Sequence, residues 1–351
     1  MAESSAMVQG CALATPFGCS VKTNCNILYE GRDTFRVPAH FDSKGRKLGI
    51  DPELDCGQGS RAVRLLIKLR DGMDFRIPPD TLLFLSTTVG AIDLLENGLA
   101  ADTSAFLLSE AKRIFGLSRG MLVSAACASG QTAVSLAMEQ LAAGCCKHAL
   151  VIGCDIASEF VTVGFSSLGA CTGTICRPYD AKRDGLTLGE SAAALLLGDS
   201  DAAFGKIIRT AENCDAAHIT APDLQGKMLR RAIERALDGD MPSGIIGHGT
   251  GTVYNDQAEI AALQQIFPEK SPPLFSLKGN YGHTLGATGV LQIVLGLEIL
   301  RRQEMPPQAG LQVPMDGAAV AALPRKITSN RLLSLNVGFG GLNSAVLLEG
   351  I

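Results

Sequence analysis

Tryptophan is absent from this sequence and aromatic residues make up only 5% of it, which excludes a platform of stacked rings for nucleobases or sugars. An excess of positive charge is also missing: 31 Lys and Arg stand against 35 Asp and Glu, a net charge of −4. Binding to nucleic acid or to an anionic membrane by bulk charge is therefore not expected. The eleven cysteines include no CxxC pair. That pattern fits buried thiols in a reducing compartment and excludes a disulfide framework. Cys145, Cys146 and His148 lack the ligand spacing of a zinc site, so no metal is expected. Long apolar runs are missing too. The most apolar helical stretch, Gly289 to Leu300, is interrupted by Gln292 and Glu298 and is too short to cross a bilayer. Glu3 stands where a secretory leader would carry basic residues. The expectation is a soluble, cytoplasmic protein with neither membrane nor nucleic acid among its partners.

What is present is a large apolar fraction, 46% of 351 residues, enough to bury a sizeable core. That length predicts two domains, or one fold built from two halves. Short apolar runs read as strands at Ala6–Ala14, Thr81–Ser86, Met121–Ala125, Ala149–Gly153 and Ala192–Leu197. The second half repeats the style with strands at Lys206–Ala211, Gly244–Gly247, Leu274–Ser276, Leu332–Asn336 and Ser344–Leu348. Helical spacing occurs at Ser129–Ala143, Asp223–Leu237, Asn255–Ile266 and Leu285–Arg302. The alternation predicts an α/β fold with sheets buried under helices. The clearest break is Gly198 to Gly205, which predicts units of 1–200 and 201–351.

Three motifs put a reactive side chain among small residues. In Ala125-Ala126-Cys127-Ala128-Ser129-Gly130 a strand ends and a helix begins, which predicts an accessible thiol at a helix N-terminus, where the dipole favours the thiolate. In Gly247-His248-Gly249-Thr250-Gly251-Thr252 a histidine follows a strand. In Lys278-Gly279-Asn280-Tyr281-Gly282-His283 another precedes a helix. Any one of these residues on its own reads as ordinary core. Two of only five histidines placed this way, with Cys127 upstream, point to a Cys–His–His site. The glycines of 247–251 lack the spacing of a dinucleotide loop.

The three motifs in this order resemble those of the elongating β-ketoacyl-acyl-carrier-protein synthases of the thiolase superfamily. So do Arg177-Pro178-Tyr179-Asp180, Arg183 to Glu190, and Asn336-Val337-Gly338-Phe339-Gly340-Gly341-Leu342-Asn343. The resemblance implies a thiolase-like fold of two related βαβαβαββ halves in five α-β-α-β-α layers. The first half would carry the nucleophile and the second both histidines. It implies decarboxylative condensation of an acyl thioester with malonyl on an acyl carrier protein, in fatty-acid or polyketide synthesis. Cys127 would carry the acyl group, and His248 and His283 would hold the malonyl thioester. Lys278, beside the second histidine, would set the local field. The N–H groups of Cys127 and Phe339 would form the oxyanion hole. Thr250 and Thr252 would meet the phosphopantetheine arm, Phe339 would gate the acyl chain, and Phe165 and Val89 would shape its tunnel. Glu259 would support the histidine loop. No cofactor beyond the carrier's phosphopantetheine is implied. The partners would be an acyl carrier protein and a second chain, in a homodimer or a ketosynthase heterodimer.

The chain departs from that family by a shorter segment between Val89 and Cys127 and a trimmed one between Gly185 and His248. Ser191, Gly279 and Leu342 replace a glycine, a serine and a threonine. A thiolase would need a second cysteine near the last glycine-rich loop, but Cys214 is the last in the chain. An initiating synthase would place asparagine where His283 stands. A chain-length or partner subunit would lack the cysteine. A cysteine hydrolase would need an orienting carboxylate motif.

Overall fold

In the computed structural model, which describes residues 5–55, 57–99, 102–199 and 204–351, the apolar runs form ten strands of one hydrogen-bonded series. They are β1 (Ala6–Ala14), β2 (Leu82–Ser86), β3 (Gly120–Val123), β4 (His148–Asp155) and β5 (Ser191–Gly198). The second five are β6 (Gly205–Cys214), β7 (Gly244–Ile246), β8 (Leu274–Phe275), β9 (Arg331–Gly338) and β10 (Leu342–Glu349). Their order is β8-β7-β9-β10-β6-β1-β5-β4-β2-β3.

Read outward from the centre, each set of five runs first, fifth, fourth, second, third. Directions repeat as well. The inner two pairings are antiparallel in both sets, β1–β5 and β5–β4 against β6–β10 and β10–β9. The outer two are parallel, β4–β2 and β2–β3 against β9–β7 and β7–β8. A short antiparallel contact between β1 and β6, at Ala6–Ile207, Met7–Lys206 and Val8–Gly205, joins the sets. Part of the expected break, residues 200–203, lies outside the described residues.

The longer helices among the described residues complete the layers: α1 (Val21–Tyr29), α2 (Arg61–Asp71), α3 (Thr103–Phe115), α4 (Ser129–Ala142), α5 (Glu159–Ser167), α6 (Lys227–Leu237), α7 (Val253–Ile266) and α8 (Thr288–Arg302). Helices α4 and α8 pack on each other and on strands of both sets, forming the middle layer. Ala133, Val134 and Ala137 of α4 and Val290, Ile293 and Leu297 of α8 meet Val151, Leu195, Leu332 and Val346 there. Leu65, Leu66 and Leu69 of α2 and Leu107 and Ala111 of α3 cover the outer face of the first set. Leu229, Ile233 and Leu263 of α6 and α7 cover that of the second. The architecture is the expected five-layered α/β fold.

The strand readings agree with the structure except at Met121–Ala125, where pairing ends at Val123 so that the chain can turn into α4. The helix read from Asp223 starts at Lys227, because Gly226 takes a left-handed φ of 62°. Leu285–Ala287 is a separate 3₁₀ turn before α8. Helices α1, α2, α3 and α5 had not been read from the sequence.

The two central helices touch backbone to backbone. A Cβ on Gly130 would lie 2.8 Å from Val290 N, and one on Gly289 would lie 2.6 Å from Gln131 N. This contact brings the first turn of α4, just after Cys127, against the turn that follows His283. In an open helix Gly→Ala stabilises by about 1 kcal/mol. Gly289→Ala is expected instead to cost roughly 1–3 kcal/mol through overpacking. Urea unfolding checks the sign, and an unchanged or raised midpoint would refute the close contact.

Candidate active site

Cys127 sits on a sharp elbow. β3 ends at Val123, Ala126 takes a left-handed φ of 48°, and α4 begins at Ser129. The Ser129 hydroxyl fixes the elbow, accepting from Ala125 N–H at 2.8 Å and donating to Ala126 O at 2.5 Å. The loop after β9 lies on the elbow, with Gly338 so close to Ala125 O and Ala128 N that a Cβ there would crowd both. Backbone N–H groups of Cys127 and Phe339 both reach the sulfur. The expectation of an accessible thiolate needs correcting. Cys127 is 6% exposed. Burial pushes its thiol up to about 12, with only partial opposition from Lys278 and the two N–H groups.

Two acids on one face of α7 hold the first histidine loop. The Glu259 carboxylate accepts from the N–H groups of His248 at 2.6 Å and Gly249 at 2.8 Å, and from the Tyr179 hydroxyl at 2.9 Å. Asp256 accepts from Thr250 N–H and Tyr179 N–H, both at 2.9 Å, and from Gly251 N–H at 3.2 Å. The Ser276 hydroxyl donates to Gly249 O at 2.7 Å. Burial raises both carboxyls. Glu259 therefore stands where it was expected. Asp256 was missed, although two acids three residues apart behind a glycine loop are a signal for it.

The structure corrects the place of Lys278. Its ammonium lies against His248, 3.3 Å from Nδ1, and donates to the His248 carbonyl. Burial lowers the amine and the Glu259 charge opposes that, so it stays a donor to Nδ1 near neutral pH. The His248 ring proton is then assigned to Nε2. His283 is held by its own backbone, which donates to Thr187 O at 2.7 Å and accepts from Gly189 N–H at 3.0 Å. Its Nδ1 accepts from Leu285 N–H at 3.2 Å, which again assigns the proton to Nε2. The two rings lie 5.4 Å apart at 85°. Burial, and then the Lys278 charge, lower both imidazoles well below their ordinary value, so both are neutral.

Asp155, at the end of β4, is a second residue that the sequence reading missed. It accepts from Gly286 N–H at 2.7 Å, Thr87 Oγ1 at 2.6 Å and Thr88 N–H at 2.9 Å. It thereby ties the turn after His283 to the turn after β2. Burial raises its carboxyl to about 6.

Cys127, His248 and His283 line one cavity of ≈ 340 Å³, together with Thr250, Thr252, Phe165 and Phe339. Phe339 stacks on Phe165 with centroids 5.5 Å apart. Lys278 and Glu259 are buried behind this wall. Val89 lies off it, half-buried with Leu188 and Leu285, so the cavity does not reach the tunnel position expected there. Ile219 and Tyr254, unremarked in the sequence, line the cavity and are exposed. Among the described residues there is no group of three side chains suited to a metal. No described helix is long and apolar enough to cross a membrane.

The beta-ketoacyl synthase N-terminal domain family matches residues 114–203, and its C-terminal domain family matches residues 204–312. The chain belongs to the β-ketoacyl synthase family. A 3-oxoacyl-[acyl-carrier-protein] synthase 2 of Mycobacterium leprae is 32% identical over 63% of this chain, a match spanning 58% of that protein's length. A Streptomyces cyaneus protein named polyketide beta-ketoacyl synthase 1 is 28% identical over 98% of this chain and 97% of its own. A ketosynthase in complex with its chain length factor, from Xenorhabdus doucetiae, shares the fold, with a TM-score of 0.84 at 23% identity over 99% and 98% of the two chains.

The assigned tautomers have a direct check. Folding lowers both imidazole values, so protonation sets in only at a pH below the ordinary histidine range. Ring ¹⁵N shifts of His248 and His283 are expected to stay those of the neutral Nε2–H form from pH 8 down through the ordinary histidine value of about 6.5. A midpoint near the ordinary histidine value of about 6.5 would contradict the burial argument.

Proposed function

We propose that the chain catalyses decarboxylative condensation of an acyl thioester with malonyl-acyl carrier protein, giving a 3-oxoacyl-acyl carrier protein and CO2. The observation that carries this is a pair of buried histidines whose Nδ1 atoms are engaged within the protein and which line one cavity with Cys127, an arrangement that assigns each an Nε2–H donor. Cys127 would attack the incoming thioester, with the oxyanion on the N–H groups of Cys127 and Phe339. Its proton would leave on the carrier's phosphopantetheine thiol. The malonyl thioester carbonyl would then accept from His248 and His283. Loss of CO2 leaves an enolate, which these two donors stabilise without becoming bound to it as a salt. The enolate carbon attacks the Cys127 acyl carbonyl, the C–C bond forms and the C–S bond breaks. The sulfur then regains a proton from water, the one proton that the condensation consumes. Lys278 would stabilise the negative charge that develops on the sulfur and on the enolate.

The substrates would arrive on phosphopantetheine along the wall that carries Thr250 and Thr252, and no other cofactor is assigned. The partners would be an acyl carrier protein and a second ketosynthase-type chain, identical or not. The Xenorhabdus complex favours a heterodimer as one form. A second reading, a partner subunit with little activity of its own, is disfavoured because Cys127, His248 and His283 all line one cavity.

Mass spectrometry after incubation with acyl-carrier thioesters is expected to find an acyl adduct on Cys127. No adduct at any chain length, on folded protein, would overturn the reading. His283→Ala is expected to lower malonyl decarboxylation by at least about 10²-fold, the scale for loss of one preorganised donor. Acylation of Cys127 should persist in that variant, and retained decarboxylation would remove His283 from its role.

A further inference from the structure

Beside the cavity, four polar side chains occupy the apolar middle layer. Gln131 on α4, Gln292 on α8, and Ser334 and Asn336 on β9 are all fully buried. Gln292 Nε2 donates to the Gly247 carbonyl at 3.0 Å. Gln292 Oε1 accepts from Ser334 Oγ at 3.3 Å and from Asn336 Nδ2. Gln131 Nε2 donates to Ser334 Oγ at 2.9 Å. Gln131 Oε1 and Asn336 Oδ1 have no hydrogen-bond partner among the described residues.

The surroundings are Val290, Leu291, Ile293, Leu332 and Val346, so leucine at these positions would avoid the desolvation cost that unmatched buried amides carry. The polar choice therefore needs a reason other than stability, and the connections supply one. Gly247 immediately precedes His248. Gln131 lies one helical turn beyond Cys127. Asn336 is three residues before Phe339, and Gln292 is nine residues after His283. From the helix that follows His283, the Gln292 amide thus touches the strand ends that lead to His248 and Phe339, and it reaches the helix that follows Cys127 through Ser334 and Gln131. Gly247 also admits no side chain, because a Cβ would collide with the Tyr179 hydroxyl. Its carbonyl is the one handle there for the middle layer. Glu259 grips the loop from the outer side through the N–H groups of His248 and Gly249.

We propose that Gln292 is a positioning residue: its amide holds the Gly247 carbonyl from the middle layer, opposite the Glu259 clamp, and so fixes His248 relative to Cys127 and Phe339. This rests on the proposed condensation for its kinetic consequence but not for its structural one. The role belongs to the N–H donor. Gln292→Met keeps the length and apolar volume and removes it. Gln292→Leu removes the donor and the acceptor together.

The test compares two partial reactions and one measurement independent of activity. In both variants malonyl decarboxylation is expected to fall about 10-fold or more, the scale of a small misplacement of a catalytic group. Acylation of Cys127 should stay within about twofold of the parent protein, because the Cys127 elbow is fixed separately by Ser129. Hydrogen–deuterium exchange should accelerate in the segment 244–252 and remain unchanged in 120–131. Equal losses in both partial reactions, or unchanged exchange in 244–252, would overturn the proposal. If Gln292→Met does not fold, Ser334→Ala cuts the link to Gln131 and one bond to Gln292, and the same split, smaller in size, is required. A parent protein with no activity would sink the proposed function, while the exchange measurement would still decide the role of Gln292.

Discussion

Exclusion of water from one small region governs the charge state of every group that would do chemistry here. Cys127, His248, Lys278, Glu259 and His283 are all buried, and in each the largest influence on ionisation is desolvation. That influence keeps the cysteine a thiol and the imidazoles neutral. It also makes a single cation, Lys278, effective over the whole site, because little solvent screens it. The close contact of α4 and α8 at Gly130 and Gly289 creates this dry region. The helices meet at their first turns, where Cys127 precedes one and His283 precedes the other.

The dry interior must still hold glycine-rich turns whose backbone amides would otherwise be unpaired. Carboxylates at the strand and helix ends do this. Asp256 and Glu259 from α7 take up the loop of His248, and Asp155 from β4 takes up the turn after His283. Each accepts several N–H groups, which offsets the cost of burying it. The resulting precision matters for the proposed reaction, since the two Nε2–H donors act together only if both rings keep their orientation.

Much of this was legible in the sequence. Strands announced themselves as short apolar runs, and glycines around His248 and His283, with small residues around Cys127, marked where the chain turns. The resemblance carried by those motifs led to the right family and fold. The four missed helices, α1, α2, α3 and α5, lie in the first half, where a sparse apolar stripe competes with charged residues, as in Arg61–Asp71. The repeat of strand order between halves was invisible because it lives in pairing and direction and not in residue identity. Distances decided the rest. The sequence placed Lys278 near His283, yet the fold swings its ammonium onto His248. Helix position argued for a thiolate at Cys127, but burial of the Cys127 side chain raises its thiol. Gln292 read only as a polar flaw in an apolar helix.

The central claim is that one cavity couples acyl transfer at Cys127 to decarboxylation at the histidine pair. The measurement that tests it most directly is a single-turnover reaction of acylated protein with malonyl-acyl carrier protein, following CO2 release and product mass together. The account predicts CO2 and 3-oxoacyl product in equal amounts, with the Cys127 adduct disappearing in step. CO2 release with no carbon–carbon bond formed, while the adduct is lost to hydrolysis, would contradict it.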